Sequence, residues 1–334
     1  MNQQVRVSKR GPVLDRVLSL ELVRVTERAA VAAARLRGRG DEIAADRAAA
    51  EAMHRELNRL PIHGRVVIGE GEPGEAPTLF VGEEVGTRRG PRVDIALVPL
   101  EGTTITAKNL PNAISVIAVA EEGGLLNVPD VYMNKIAIGP GYPPGVVDLD
   151  ASPADNVAAL AAAKGVPVGE ITACVLDRPR HTRLVEELRA AGAAIRLIGD
   201  GDVAGIIHVT KPAETGIDIY LGIGSAPEGV LAAAALTGMG GQMQGRLTIG
   251  SDEQRDRVRR TGVTDIDRKY DMRDMAPADV LFAATGVTDG DLLSGVRFGP
   301  GSINTHTVVM RSSSGTVRWI AAEHHDLDKF DDAI

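Results

Sequence analysis

Between about residues 153 and 237 the chain alternates helical and extended patterns, and this limits the fold more than any other feature. A helical pattern covers 153–164, an apolar strand 171–176, a second helix 181–191 and a strand 194–198. The turn Gly199-Asp-Gly-Asp202 leads to a helix near 203–208. A strand at 217–221 then feeds Gly222-Ile-Gly-Ser-Ala-Pro-Glu-Gly229 and an Ala-rich helix to about Thr237. Strands separated by crossover helices predict an α/β fold, with a largely parallel sheet covered by helices.

The flanking segments extend this picture. Residues 1–13 read as a flexible tail ended by Gly11-Pro12. From Leu14 to Leu36 the residues Leu18, Leu22, Val25, Ala29 and Ala33 recur on one helical face. Gly38-Arg39-Gly40 stops that helix, and Asp41 is suited to cap a second one running to about Leu60, before Pro61. Arg39-Gly40-Asp41 also spells an adhesion tripeptide, which we read as a coincidence at a helix junction. Strands are expected at 65–68, near 93–98, at 113–120 and at 134–138, then at 280–284, 303–311 and 316–322. Gly139-Pro-Gly-Tyr-Pro-Pro-Gly145 is the strongest break. It divides the chain into two expected, intimately packed α/β halves, 14–145 and 146–334.

Composition excludes several classes of function. The 334 residues carry a net charge of −8 with no basic run, and aromatic residues are only 3%. That argues against a nucleic-acid or acidic-membrane partner. No run of about 18 apolar residues exists to span a bilayer, and the basic N-terminus is not followed by the apolar block of a signal peptide. Cys174 is the single cysteine and lies in an apolar strand pattern. We therefore read it as a core residue and expect a cytoplasmic protein without disulfides.

The chemistry concentrates where strands end. In residues 94–104, the apolar run Ile95-Ala-Leu-Val98 should end at Pro99, which cannot donate to a sheet. It delivers Glu101, Gly102, Thr103 and Thr104, a carboxylate for a hard cation beside backbone and hydroxyls for phosphate oxygens. Glu70, Glu72, Asp200, Asp202 and Glu228 also sit in Gly-rich turns after expected strands, and Asp46 lies near a helix start. Acids at the carboxyl ends of strands face the crevice where α/β proteins bind ligands, and several together suit Mg²⁺ or Mn²⁺. Arg178-Pro-Arg-His181 places two arginines about a proline at a strand end, a cationic fork suited to phosphate. His181 has no Ser or Cys partner in a recognisable catalytic arrangement. Gly69, Gly71 and Gly74 spell G-x-G-x-x-G, but Glu70 and Glu72 oppose a pyrophosphate. Gly222–Gly229 is the better phosphate loop, with Pro227 suited to a first helical turn. A dinucleotide-dependent oxidoreductase would rest on these glycine loops alone.

Together these residues resemble the class II fructose-1,6-bisphosphatases, a bacterial branch of the metal-dependent, lithium-sensitive sugar phosphatases. The likeness covers about residues 20–325. It is carried by Glu21-Leu-Val-Arg-Val-Thr-Glu27, Gly38-Arg-Gly-Asp41, Val67-Ile-Gly-Glu-Gly-Glu72, Pro99-Leu-Glu-Gly-Thr103, Tyr132-Met133, Arg178-Pro-Arg-His181, Asp200-Gly-Asp202, Ala226-Pro-Glu-Gly229 and Ala284-Thr-Gly-Val-Thr-Asp-Gly-Asp291. The resemblance implies a layered αβαβα sugar-phosphatase fold, a homo-oligomer (dimer or tetramer), a divalent cation and a sugar-phosphate substrate. It assigns the cation to Asp46, Glu70, Glu101 and Glu228. It assigns the substrate to Glu101, Gly102, Thr103, Tyr132, Arg178, Arg180, Asp200, Gly201, Asp202 and Ser225. Thr103 would orient the attacking water, with Glu70 and Glu72 the nearest acids to help.

Four positions depart from the family pattern. Val98 stands where the family has a metal-bridging Asp, and Gly74 where it has an Asp that activates water. Glu42 replaces a lysine, and Ser225 a glycine. Two readings follow. The chain is an enzyme acting on a phosphorylated sugar or cyclitol with a reduced metal site, using Glu72 or Glu75 in place of the lost acid. Alternatively, it is a non-catalytic sugar-phosphate-binding paralogue.

Overall fold

The computed structural model describes residue 14 and residues 16–331; the tail expected at 1–13 lies outside the described residues. In chain order the helices are α1 (Arg16–Ala34), α2 (Glu42–Leu57), α3 (Thr103–Ala107), α4 (Pro153–Lys164), α5 (Thr182–Ala190), α6 (Asp202–His208), α7 (Pro212–Thr215), α8 (Ala226–Met239), α9 (Asp252–Arg260) and α10 (Met272–Met275). The first strands are β1 (His63–Ile68), β2 (Glu84–Val85), β3 (Arg92–Glu101) and β4 (Ile114–Glu121). A second group follows: β5 (Tyr132–Ile138), β6 (Thr172–Leu176), β7 (Ala194–Ile198), β8 (Ile219–Ser225), β9 (Gln242–Thr248) and β10 (Tyr270–Asp271). The last are β11 (Val280–Gly286), β12 (Arg297–Gly299), β13 (Ser302–Arg311) and β14 (Thr316–His324).

These strands form two sheets. One runs β12-β13-β11-β4-β3-β1-β2, with β14 also on β13; the other runs β10-β9-β5-β8-β6-β7. The strands do not divide at 139–145 as expected, because β5 precedes that break yet belongs to the second sheet. The chain returns to the first sheet from β11 onwards. Neither sheet is largely parallel. Parallel pairing is confined to β1–β3, β6–β7 and β6–β8. The helix–strand alternation builds only that β7-β6-β8 corner. The neighbours β5 and β9 arrive from outside the alternating stretch and pair antiparallel.

The layering is αβαβα. Helices α1 and α2 cover the outer face of the first sheet, with Leu22, Ala29 and Met53 packed on Ile95, Leu97 and Ile117. Helices α4 and α5 cover the outer face of the second, where Leu160 and Leu188 meet Ile136 and Val175. Helices α6 and α8 lie between the sheets, in one core with residues of both. The sequence of α8 explains its place. Gly229-Val-Leu-Ala-Ala-Ala-Ala-Leu236 is apolar all round and buried, so it has no solvent face to present. Its alanines let two sheets approach one helix, while Leu231 and Leu236 each contribute about 1.5–3 kcal/mol by burial.

Two local expectations need correction. Pro99 does not end β3, which continues to Glu101; the ladder to β4 is irregular between Val98 and Glu101, and the missing donor falls in that gap. Gly222–Ser225 is not a loop but the end of β8, with α8 starting at Ala226 and Pro227 in its first turn.

Candidate active site

Glu70, Glu101, Asp200 and Glu228 lie at or just past the carboxyl ends of β1, β3, β7 and β8, and Asp46 lies on α2. Asp46 and Glu70 share a side-chain hydrogen bond. Burial, then the charges of Asp46 and Glu228, push the Glu70 carboxyl up to about 8. Glu101 is buried at the end of β3, and its Oε1 accepts the Val203 N–H at 2.8 Å in the first turn of α6. Its Oε2 is buried with no hydrogen-bond partner. Burial first, then Asp202 and Glu228, hold this carboxyl well above the usual range. Glu228 opens α8, its Oε2 is likewise buried and unpartnered, and burial followed by Asp202 raises it to about 8. Asp200 is raised as well, chiefly by burial, with Arg178 opposing the shift from 3.8 Å.

Gly102 has φ +91°, a left-handed turn that lets β3 fold directly into α3. Thr103 is thereby the first helical residue, two positions after Glu101. Thr104 Oγ1 donates to Glu42 at 3.0 Å, so the glutamate in the lysine position is bonded into this turn. The Gly38–Asp41 junction docks here too, through Gly38 N–H to Thr106 O (2.9 Å) and Gly40 N–H to Ala107 O (3.0 Å).

The cationic side is less compact than a fork. Arg180 is exposed, donates Nε–H to Ile223 O at 3.0 Å and lies 4.7 Å over the Tyr132 ring. Arg178 turns toward Gly199 O (2.5 Å) and Asp200. Pro179 starts a short 3₁₀ turn, so the two guanidinium groups are anchored on different strands, Arg180 at β8 and Arg178 by the end of β7. His181 is structural. Nδ1–H donates to Leu176 O at 2.7 Å and Nε2 accepts the Ile223 N–H at 2.8 Å, tying β6 to β8; burial lowers its pKa.

Three features of the expected site stand as follows. Among the described residues, no group of three or more His, Cys, Asp or Glu side chains is placed to hold a metal ion. Asp46, Glu70, Glu101 and Glu228 nonetheless feel one another's charge, Glu70 that of Asp46 and Glu228, and Glu101 that of Glu228. Each also has a local neighbour: Asp46 for Glu70, the start of α6 for Glu101, and Asp202 with a nearby lysine for Glu228. Glu72 stays in its loop, where its N–H donates to Glu75 Oε2 at 2.9 Å. Ser225 meets the site through its backbone, its carbonyl accepting from Lys135 Nζ at 2.7 Å.

That lysine was missed from the sequence. Lys135 has no solvent exposure and donates to both Asp202 and Ser225 O. The signal was present: a single cation inside Met133-Asn-Lys-Ile-Ala-Ile138, a mostly apolar strand. At the departed positions, Val98 is half-buried and packs on the core, and Gly74 is exposed at φ +94° with open space around it.

Five alternating layers, with buried acids at strand ends and arginines beside them, define the layered α/β sugar-phosphatase class. The sequence model of the family described as bacterial fructose-1,6-bisphosphatase, glpX-encoded, matches residues 16–324. A D-fructose 1,6-bisphosphatase class 2/sedoheptulose 1,7-bisphosphatase of Synechococcus sp. strain JA-3-3Ab is 42% identical over 336 residues, covering 93% of this chain and 96% of the relative. The protein of the same description from Synechococcus elongatus is 41% identical over 93% of this chain and 97% of its own. The chain belongs to the glpX-type bacterial fructose-1,6-bisphosphatase family, a family of phosphoric monoester hydrolases.

Proposed function

We propose that this protein hydrolyses a phosphorylated sugar or cyclitol with a divalent cation, Mg²⁺ or Mn²⁺, and that its activity on fructose 1,6-bisphosphate is weak. The observation that carries this reading is the pair of buried, unpartnered carboxylate oxygens, Glu101 Oε2 and Glu228 Oε2. Orphaned anionic oxygens in a buried acidic face cost several kcal/mol unless a cation or proton meets them. The donor set is all hard oxygen, which suits these ions. Asp46, Glu70, Glu101 and Glu228 would hold the cation, which supplies Lewis-acid stabilisation of the phosphoryl oxygens.

The chain's own residues do the rest. Arg180, held over the Tyr132 ring, and Arg178 bind phosphate oxygens from two sides. Asp200, Gly201 and Asp202 meet the sugar hydroxyls. Thr103 orients a water for attack on phosphorus; the P–O ester bond breaks, and the leaving sugar oxygen takes up a proton from solvent water. Glu72 accepts the water's proton in place of the acid absent at Gly74, because the Glu75 carboxylate is already engaged by the Glu72 N–H. A dimer or tetramer and a cytoplasmic setting complete the reading.

The second reading, a sugar-phosphate-binding protein without turnover, is favoured by one observation: Val98 and Gly74 together remove a metal-bridging and a water-activating acid. The test is a phosphate-release screen of sugar and cyclitol phosphates with Mg²⁺ and Mn²⁺, beside a Val98→Asp/Gly74→Asp variant. We expect release from at least one substrate by the wild type, and faster release from fructose 1,6-bisphosphate by the variant. Wild-type turnover on that bisphosphate in the usual enzymatic range, ~1–10³ s⁻¹, would refute the weak-activity reading. No release from any substrate would establish the second.

A further inference from the structure

Lys135 has no exposure on a strand whose neighbours Met133, Ile136, Ala137 and Ile138 are all buried; among the described residues no other lysine is fully buried. The fold makes room for it with glycines. A Cβ on Gly224 would lie 3.0 Å from its Nζ and 2.1 Å from Asp202 Oδ2, and one on Gly229 would lie 3.2 Å from its Cδ. The ammonium ends between the Asp202 carboxylate and the Ser225 carbonyl. Asp202 is the first residue of α6, and Ser225 is the last before α8. One side chain therefore ties together the starts of both central helices. The first supplies the N–H that orients Glu101, and the second carries Glu228. An ion pair so buried gains little stability over a well-packed apolar pair, so stability alone does not account for it.

We propose that Lys135 is the resident cation of the acidic face. It positions Asp202 for the sugar phosphate and offsets one carboxylate charge that a divalent cation would otherwise meet. Lys135 is a positioning residue, and the inference rests on the functional reading above. It yields a prediction of opposite signs. Removing the ammonium leaves the face more negative, so a dication binds more tightly while a phosphate monoester binds less tightly. A merely structural lysine would weaken both or neither.

The experiment uses the full chain and two ligands. Mn²⁺ is titrated by calorimetry, and fructose 6-phosphate binding is read by thermal shift in EDTA, for wild type, Lys135→Met and Lys135→Met/Asp202→Asn. For Lys135→Met we expect Mn²⁺ affinity to rise about five- to tenfold, as for a unit charge removed several ångströms from a dication. Fructose 6-phosphate affinity should fall by at least about threefold. The double variant removes both charges and should return Mn²⁺ affinity to within about twofold of wild type. Equal or weaker Mn²⁺ binding by Lys135→Met overturns the proposal, as does unchanged sugar-phosphate binding. If Lys135→Met does not fold, the double variant decides: wild-type Mn²⁺ affinity supports the charge-balancing role, and a tenfold loss overturns it. A wild type that binds no Mn²⁺ defeats the metal part of the functional reading instead, and the fructose 6-phosphate comparison still judges Lys135.

Discussion

Truncating Arg180 to Ala tests the phosphate side of the site. Its Nε is committed to Ile223 O at 3.0 Å, and the guanidinium carbon stands 4.7 Å over the Tyr132 ring. The guanidinium is thus held at two points before any ligand arrives. A hydrogen bond to a charged group is worth about 1.5–3 kcal/mol, so the alanine variant should bind a sugar phosphate roughly ten- to 150-fold more weakly. The fold loses only an exposed cation–π contact and one hydrogen bond, about 1–2 kcal/mol together. The assay is ligand-induced thermal stabilisation. At a fructose 6-phosphate concentration one hundred times the wild-type Kd, stabilisation is about 2.7 kcal/mol, and a tenfold weaker variant retains about 1.4. Arg180→Lys should not restore the difference, because an ammonium cannot lie flat over Tyr132 and bond at two points. Equal responses from wild type and Arg180→Ala would place the phosphate elsewhere and refute the reasoning.

Two further predictions follow from the core. Gly224→Ala should dislodge Asp202, whose Oδ2 lies 2.1 Å from the added Cβ position; we expect a lower melting temperature and weaker sugar-phosphate binding, and wild-type values for both would contradict the packing described. His208 is buried with neither ring nitrogen partnered, and burial lowers its pKa to about 4. Its folded pKa lies below the ordinary histidine value of 6.5, so the stability it contributes is present above that pH and lost as pH falls toward 4. Melting curves from pH 7.5 to 4.5 should therefore show a shallower acid limb for His208→Leu than for wild type.

The elements were legible where local chemistry sets them. Asp41 caps α2 through the Ala44 N–H at 2.9 Å, as its place after Gly40 suggested. The strands at 172–176 and 194–198 and the helix between them lie where the alternation predicted. Pairing was not legible. The pattern at 280–324 carries no mark of the sheet it joins, and it crosses back to pair β11 with β4, some 160 residues earlier. The site was legible as a list and not as an arrangement. That Arg178 and Arg180 anchor on different strands, and that Glu75 answers the Glu72 N–H, depends on loop conformations no spacing encodes.

The sequence by itself determined the layered class and the family, because periodicity, glycine turns and motif residues are local properties of the chain. Only the tertiary structure decided which sheet each strand entered and whether the acids converge as a cage. It also decided that the cation inside the 133–138 strand run reaches them. Lys135 shows the reason. A lysine in a strand has two possible faces, and the side it takes depends on where β8 offers glycine and where α6 offers a carboxylate, both from segments more than sixty residues away.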